Sequence, residues 1–233
     1  MAGLKVHTAE TEYAVTQAEI KAWNKIDSSD DDTVVALIER TVHNWAKEYT
    51  NRTLTTVTYQ LFIDSIYEVD LPIQEGSYVG IDQNINRRSI HLPKSPVSSV
   101  THIKSYDDND TATVFDSSKY YVDTVSVPSR IVLRQGETYP TSLRVANALE
   151  IQYVAGYGGA TTIPYDIKSA CLAYSAYLFE HRGDLLDGKR VLAPTSATQL
   201  LQAYKVKSLS TNTYQGYAHY GGMFGWLDNL GTE

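Results

Sequence analysis

Along the first quarter of the chain the apolar residues recur at helical spacing. Ile20, Trp23 and Ile26 fall on roughly one side of a predicted helix over 17–26, and Thr16 with Glu19 three residues later forms a capping-box sequence at its start. The acidic cluster Ser28-Ser29-Asp30-Asp31-Asp32 stands where a second helix gains from negative charge at its N-terminus. Val34, Ile38, Val42, Trp45 and Tyr49 follow at spacings of three and four, the clearest helical stripe in the sequence. From Leu54 the period drops to two: Val57, Tyr59, Leu61 and Ile63 alternate with Thr56, Thr58, Gln60 and Asp64, which predicts a half-buried strand.

Further strands are predicted over 89–92, 97–106, 119–122, 130–134 and 149–154, separated by clusters of Pro, Gly, Asn and Asp. Short strands at such intervals imply a small antiparallel sandwich or barrel. Helical spacing resumes after Pro164, where Ile167, Ala170, Cys171, Tyr174 and Leu178 make one face of a helix over 165–182 that Gly183 stops. Ser196 and Gln199 repeat the capping-box pattern before a short last helix ending near Val206. The remaining tail is rich in Gly and aromatic residues without a period. The expected fold is therefore α+β: a small helical bundle of two N-terminal and two C-terminal helices with an inserted antiparallel β domain. The expected divisions are 1–53, 54–160, 161–206 and the tail 207–233.

The hydrophobic share of 42% over 233 residues suffices for a packed core. The formal charge of -7, without a Lys/Arg run, argues against tight general binding to nucleic acid. No apolar run reaches the roughly 20 residues that a membrane helix needs, and the N-terminus lacks a signal-peptide pattern, so no membrane association is expected. With one cysteine, Cys171, an intramolecular disulfide is impossible. The 18 Tyr against 4 Phe and 3 Trp have two readings: surfaces wet before assembly and buried afterwards, or simply strand-forming residues.

Candidate chemistry is sparse. The six His lack the spacing of a zinc protease, and Cys171 among apolar neighbours reads as a small buried hydrophobe. Gly156, Gly158 and Gly159 resemble a phosphate cradle only loosely; a glycine-dependent exit from a strand is the better reading. Asp107-Asp108-Asn109-Asp110 lacks the Gly and distal Glu of a calcium loop and reads as a hairpin turn. Arg182-Gly183-Asp184 reads as a helix stop, and nothing marks Asp64 with Glu68 or Asp70 as an acid/base pair. No catalytic, metal or cofactor-binding residue is expected, and the chain is expected not to be an enzyme.

Several stretches, in order, resemble the head-to-tail connector (adaptor, or head-completion) proteins of long-tailed bacteriophages, in the longer version that carries a β domain. They are the capped helix at 16–22, the second helix closing on Glu48-Tyr49-Thr50-Asn51-Arg52-Thr53-Leu54, and Leu92-Pro93-Lys94-Ser95-Pro96-Val97 at a strand entry. Residues 130–140, Ile151-Gln152-Tyr153-Val154-Ala155-Gly156-Tyr157-Gly158, Ile163-Pro164 with Ile167-Lys168, residues 177–182 and residues 200–206 follow. The resemblance covers roughly 14–206; the stretch 74–88 is longer than the family leads one to expect.

The resemblance implies a ring of about twelve copies in the virion neck, joining the portal to a downstream stopper or tail-terminator protein, with a DNA channel. It also implies assembly in the host cytoplasm and no sequence-specific DNA contact. Tyr214, Tyr217, Tyr220, Phe224 and Trp226 are the expected portal or neighbour contacts, being anchors without a local core. The alternative is a tail-associated module whose β domain recognises a host glycan through Tyr and Trp.

Overall fold

The computed structural model describes residues 2–64, 89–181, 185–186, 189–190 and 193–206. Within them β1 (Ala2–Thr8) precedes α1 (Gln17–Asn24) and α2 (Asp32–Thr50). Strands β2 (Val57–Ile63), β3 (Ser89–His91), β4 (Val97–Tyr106), β5 (Ala112–Val114), β6 (Tyr120–Asp123), β7 (Arg130–Leu133) and β8 (Leu149–Ala155) follow. Helix α3 (Tyr165–Glu180), the short strands β9 (Leu185–Leu186) and β10 (Lys189–Arg190), and α4 (Thr195–Gln202) close the described chain. The fold is α+β.

The local chemistry explains the helix ends. The Thr16 hydroxyl accepts from the Glu19 N–H and the Glu19 carboxylate accepts from the Thr16 N–H, so the capping box forms as its sequence implies. Lys25 and Asn51, both in the left-handed region, terminate α1 and α2. The α2 stripe packs as expected: Ile38 and Val42 are buried, Val34, Trp45 and Tyr49 pack beside them, and Trp45 meets Tyr174 of α3 at 4.6 Å. In α1 the pattern holds less well, for Ile20 is fully buried whereas Trp23 is exposed, one 300° step round the helix. The last helix also differs from expectation. It begins at Thr195 after Pro194, whose fixed φ of -51° places it at the cap, so Ser196 lies inside the first turn and the anticipated capping box does not form.

Two sheets carry the β region. One has the order β1-β2-β8-β4-β5 and the other β3-β7-β6, every adjacent pair being antiparallel. Side chains from both sheets fill one apolar cluster that includes Tyr59, Leu92, Ile103, Ile131, Ile151 and Tyr153. Alternation sets which face is inside: Leu149, Ile151, Tyr153 and Ala155 point inward, while Gln152 and Val154 lie on the other face of β8. Strands β1 and β5 have no counterpart among the strands the sequence predicts. Their side chains are exposed, so they leave no hydrophobic alternation strong enough to read.

A second apolar cluster belongs to the helices. Ile20, Val35, Val42, Leu54, Ile167, Cys171 and Leu201 meet there, from segments at both ends of the sequence. The two clusters join where 53–56, 95–97 and 155–158 run together. There Thr53 N–H donates to the Ser95 carbonyl, Gly156 N–H to that of Pro96, and Tyr157 N–H to that of Leu54. Gly156 has a φ of +119°, and a Cβ on it would sit 2.1 Å from the Thr55 carbonyl oxygen. The glycine-dependent exit from β8 is thus a steric requirement and not a phosphate cradle.

Candidate functional site

Titratable groups that look reactive in the sequence are used structurally. Cys171 is fully buried, and burial pushes its thiol up to about 12, so the nucleophilic thiolate is disfavoured. Thiol reagents are expected to leave the folded protein unlabelled and to label it once denatured; rapid native labelling would contradict the packing around α3. The Asp107 carboxylate accepts from the N–H groups of Asn109 (2.9 Å) and Thr111 (2.8 Å), and Asp110 pairs with Arg144 at 2.8 Å, which makes this loop the β4–β5 hairpin turn. Asp64 accepts from the Asn147 N–H, while Glu68, Asp70 and Arg182-Gly183-Asp184 lie outside the described residues. Among the described residues no group of three or more His, Cys, Asp or Glu is arranged to hold a metal ion, and no helix is long and apolar enough to cross a membrane.

Two buried polar clusters leave no signal in the sequence, because neither has a local spacing. In the first, Glu10 pairs with Lys47 at 2.5 Å and the backbone N–H of Ala14 donates to His43 Nδ1 at 3.0 Å. Burial, then the Lys47 charge, drives the His43 imidazole down to about 4, so it is neutral at pH 7 with its proton on Nε2. This cluster fastens the link between β1 and α1 onto α2. In the second, the nearly buried Glu150 carboxylate accepts from Gln60 Nε2 (3.0 Å) and the Tyr106 hydroxyl (2.5 Å), with His102 Nε2 at 3.3 Å. Burial alone would raise the Glu150 pKa, but the Tyr106 and His102 hydrogen bonds and the Lys104 charge lower it. A carboxylate so supplied with donors is a weak base; its effect is to tie β2, β8 and β4 together.

The features that remain are exposed strand edges, apolar tips and a shallow groove. Strand β1 is hydrogen-bonded to β2 along one edge, residues 3–9 are exposed, and Leu4 (40%) and Val6 (48%) present apolar area to solvent. At the opposite margin of the same sheet β5 is exposed along its length, with Val114 62% accessible. Val125, 91% exposed, projects from the β6–β7 connection. That tip is stiffened by Asp123, which accepts from Val125 N–H, Ser126 N–H, Ser126 Oγ and Arg130 Nε. The Ser126 hydroxyl and N–H, with Arg130, hold the Asp123 carboxyl at about 2. A groove of about 420 Å³ along α2 is lined by Thr33, Val34, Ala36, Leu37 and Arg40.

The tyrosines divide between the two readings of their abundance. Tyr59, Tyr120, Tyr139 and Tyr153 belong to the β core, whereas Tyr121 and Tyr165 are exposed. Tyr214, Tyr217, Tyr220, Phe224 and Trp226, the contacts expected from the sequence, lie outside the described residues, as does the stretch 74–88.

No protein-family profile matches the chain, and no curated protein does. Solved structures do share its fold. A chain in the neck of an empty gene transfer agent particle, computed with C6 symmetry, superposes with a TM-score of 0.65 at 17% identity, covering 89% of this chain and 97% of that one. A chain from the virion of the native particle gives 0.65 at 17% identity, covering 88% and 96%. A chain from the native neck computed with C12 symmetry gives 0.60 at 16% identity, covering 89% and 97%. At these identities the shared property is the fold, and it extends over nearly the whole of the matched chains.

Proposed function

We propose that this chain is a structural subunit of a virion neck: a head-to-tail adaptor that forms a ring of about twelve copies between the portal and the next connector or tail component. The observation that carries the reading is the fold match, which takes in both the helices and the β region of chains located in the neck of a gene transfer agent particle. The exposed edges and apolar tips fit a subunit completed by its neighbours, and the polar clusters act as internal ties. Its work is mechanical, and no residue is assigned to catalysis or to a cofactor.

In this reading the ring leaves a channel through which DNA passes without sequence-specific contact, and the subunit is made in the host cytoplasm before entering the particle. The channel wall is neutral or acidic, in keeping with the net charge of -7. The glycan-binding alternative loses support where four of its β-region tyrosines, Tyr59, Tyr120, Tyr139 and Tyr153, are consumed by the core.

Electron microscopy of the purified protein mixed with the portal of its own particle tests the reading. Rings seated on the portal are the expected result; a monomer indifferent to the portal would end it. The tail residues Tyr214, Tyr217, Tyr220, Phe224 and Trp226 are proposed as portal contacts. A protein ending at Lys207 is expected to bind the portal at least about tenfold more weakly, since a cluster of aromatic anchors contributes more than 1.4 kcal/mol. Unchanged affinity would remove the tail from the interface.

A further inference from the structure

We propose that in the assembled ring the free edge of β1 in one copy is covered by the free edge of β5 in the next copy. The inference rests on the ring reading above and names the surface through which the ring closes. It begins from an imbalance in β1. Seven residues are held in a strand, yet residues 3–9 are exposed, so β1 contributes little burial to its own subunit while giving up chain entropy. Its unpaired edge is only lightly protected, by exposed Lys5 and a register shift between Val6 and Thr8: no Pro interrupts it, and among the described residues no helix or strand lies along it. Leu4 and Val6 add exposed apolar area.

The strand order supplies the occupant. In the sheet β1-β2-β8-β4-β5 the two open edges are different surfaces on opposite margins. A contact joining one to the other between copies is head-to-tail, the kind that closes into a ring by repeated rotation, whereas β1 against β1 would give a two-fold dimer. Charge favours the same pairing. Lys5 is exposed on β1 and Asp108 is exposed in the turn leading into β5, so the two margins carry opposite signs, while Asp110 in that turn is already paired with Arg144. The side-chain faces also agree. Lys5 lies opposite Gln60 and Val114 opposite Lys104, and the intervening register places both on the outer face; Val6 opposite Tyr59 and Thr113 opposite Ser105 share the inner one.

Cysteine cross-linking of the ring, alone or on its portal, tests this, because native Cys171 is buried and leaves a clean background. Four antiparallel steps separate β1 from β5, so the two run the same way and a small ring rotation brings them together in parallel. The double variant Lys5→Cys with Val114→Cys, or on the inner face, which Leu4 shares with Val6, Leu4→Cys with Thr113→Cys, is expected to give a ladder of linked chains on oxidation. Each single variant should stay unlinked. Rings visible by microscopy but unlinked in both double variants would overturn the edge contact and leave the ring reading standing. Linked dimers from Lys5→Cys alone would replace it with two-fold pairing. A protein that stays monomeric with and without portal would remove both.

Discussion

Replacing Gly156 with Ala is expected to destabilise the protein by at least ~3 kcal/mol, more than any conservative exposed substitution would. Two costs add. A residue with a Cβ must hold a φ of +119°, and that Cβ would stand 2.1 Å from the Thr55 carbonyl oxygen, where backbone must move. The movement would reach the hydrogen bonds from Gly156 to Pro96 and from Tyr157 to Leu54, which join the sheets to the helices. Gly136 supplies the control. Its φ is +86° but a Cβ there meets nothing within 4 Å, so Gly136→Ala should cost only about 1 kcal/mol. Chemical denaturation of both variants separates crowding from backbone preference; equal losses would refute the steric account.

Acid should weaken the fold through His43. An unperturbed imidazole protonates near 6.5, whereas burial followed by the Lys47 charge holds His43 down to about 4 in the folded state. The unfolded chain therefore binds the extra proton between those values, and stability, complete above pH 6.5, falls as pH drops toward 4. The loss from this group amounts to about 3 kcal/mol. Glu10 acts in the same sense at lower pH. Burial pushes its carboxyl up, but the bond from Lys47, its own backbone contact, and the charges of Lys47 and His43 bring it below the usual range. In His43→Asn the side-chain amide oxygen stands where Nδ1 does and can still accept from the Ala14 N–H while nothing titrates. Unfolding free energies measured from pH 7 to pH 4 should accordingly be flatter than in the parent, and parallel curves would show that His43 does not control the slope.

What the sequence discloses depends on whether a feature is local. The capping box at Thr16 and the α2 stripe depend on residues three or four apart, and both form as expected. The inward alternation of β2 and β8 is equally legible, because one face of each strand is buried. Strand β1 escapes notice for the opposite reason: its partner, β2, lies about fifty residues away, and neither of its faces is covered. The Ser196 pattern misleads because Pro194 fixes the helix start two residues earlier. Of the candidate site, Cys171 and the glycine exit are readable from their neighbours. The His43 and Glu150 clusters are not, since each gathers residues from separate elements.

The helical cluster is assembled from both ends of the sequence: Val35, Val42 and Leu54 from one side of the β insert, Ile167, Cys171 and Leu201 from the other. Its seam closes where Arg52 Nε donates to the Tyr204 carbonyl and Val206 N–H to that of Thr50. During synthesis, α1 and α2 leave the ribosome with their apolar faces uncovered and wait through more than a hundred residues for α3. The seam can shut only after residues 204–206 have left the ribosome, so a chain cut short before them cannot hold the helices in their folded arrangement.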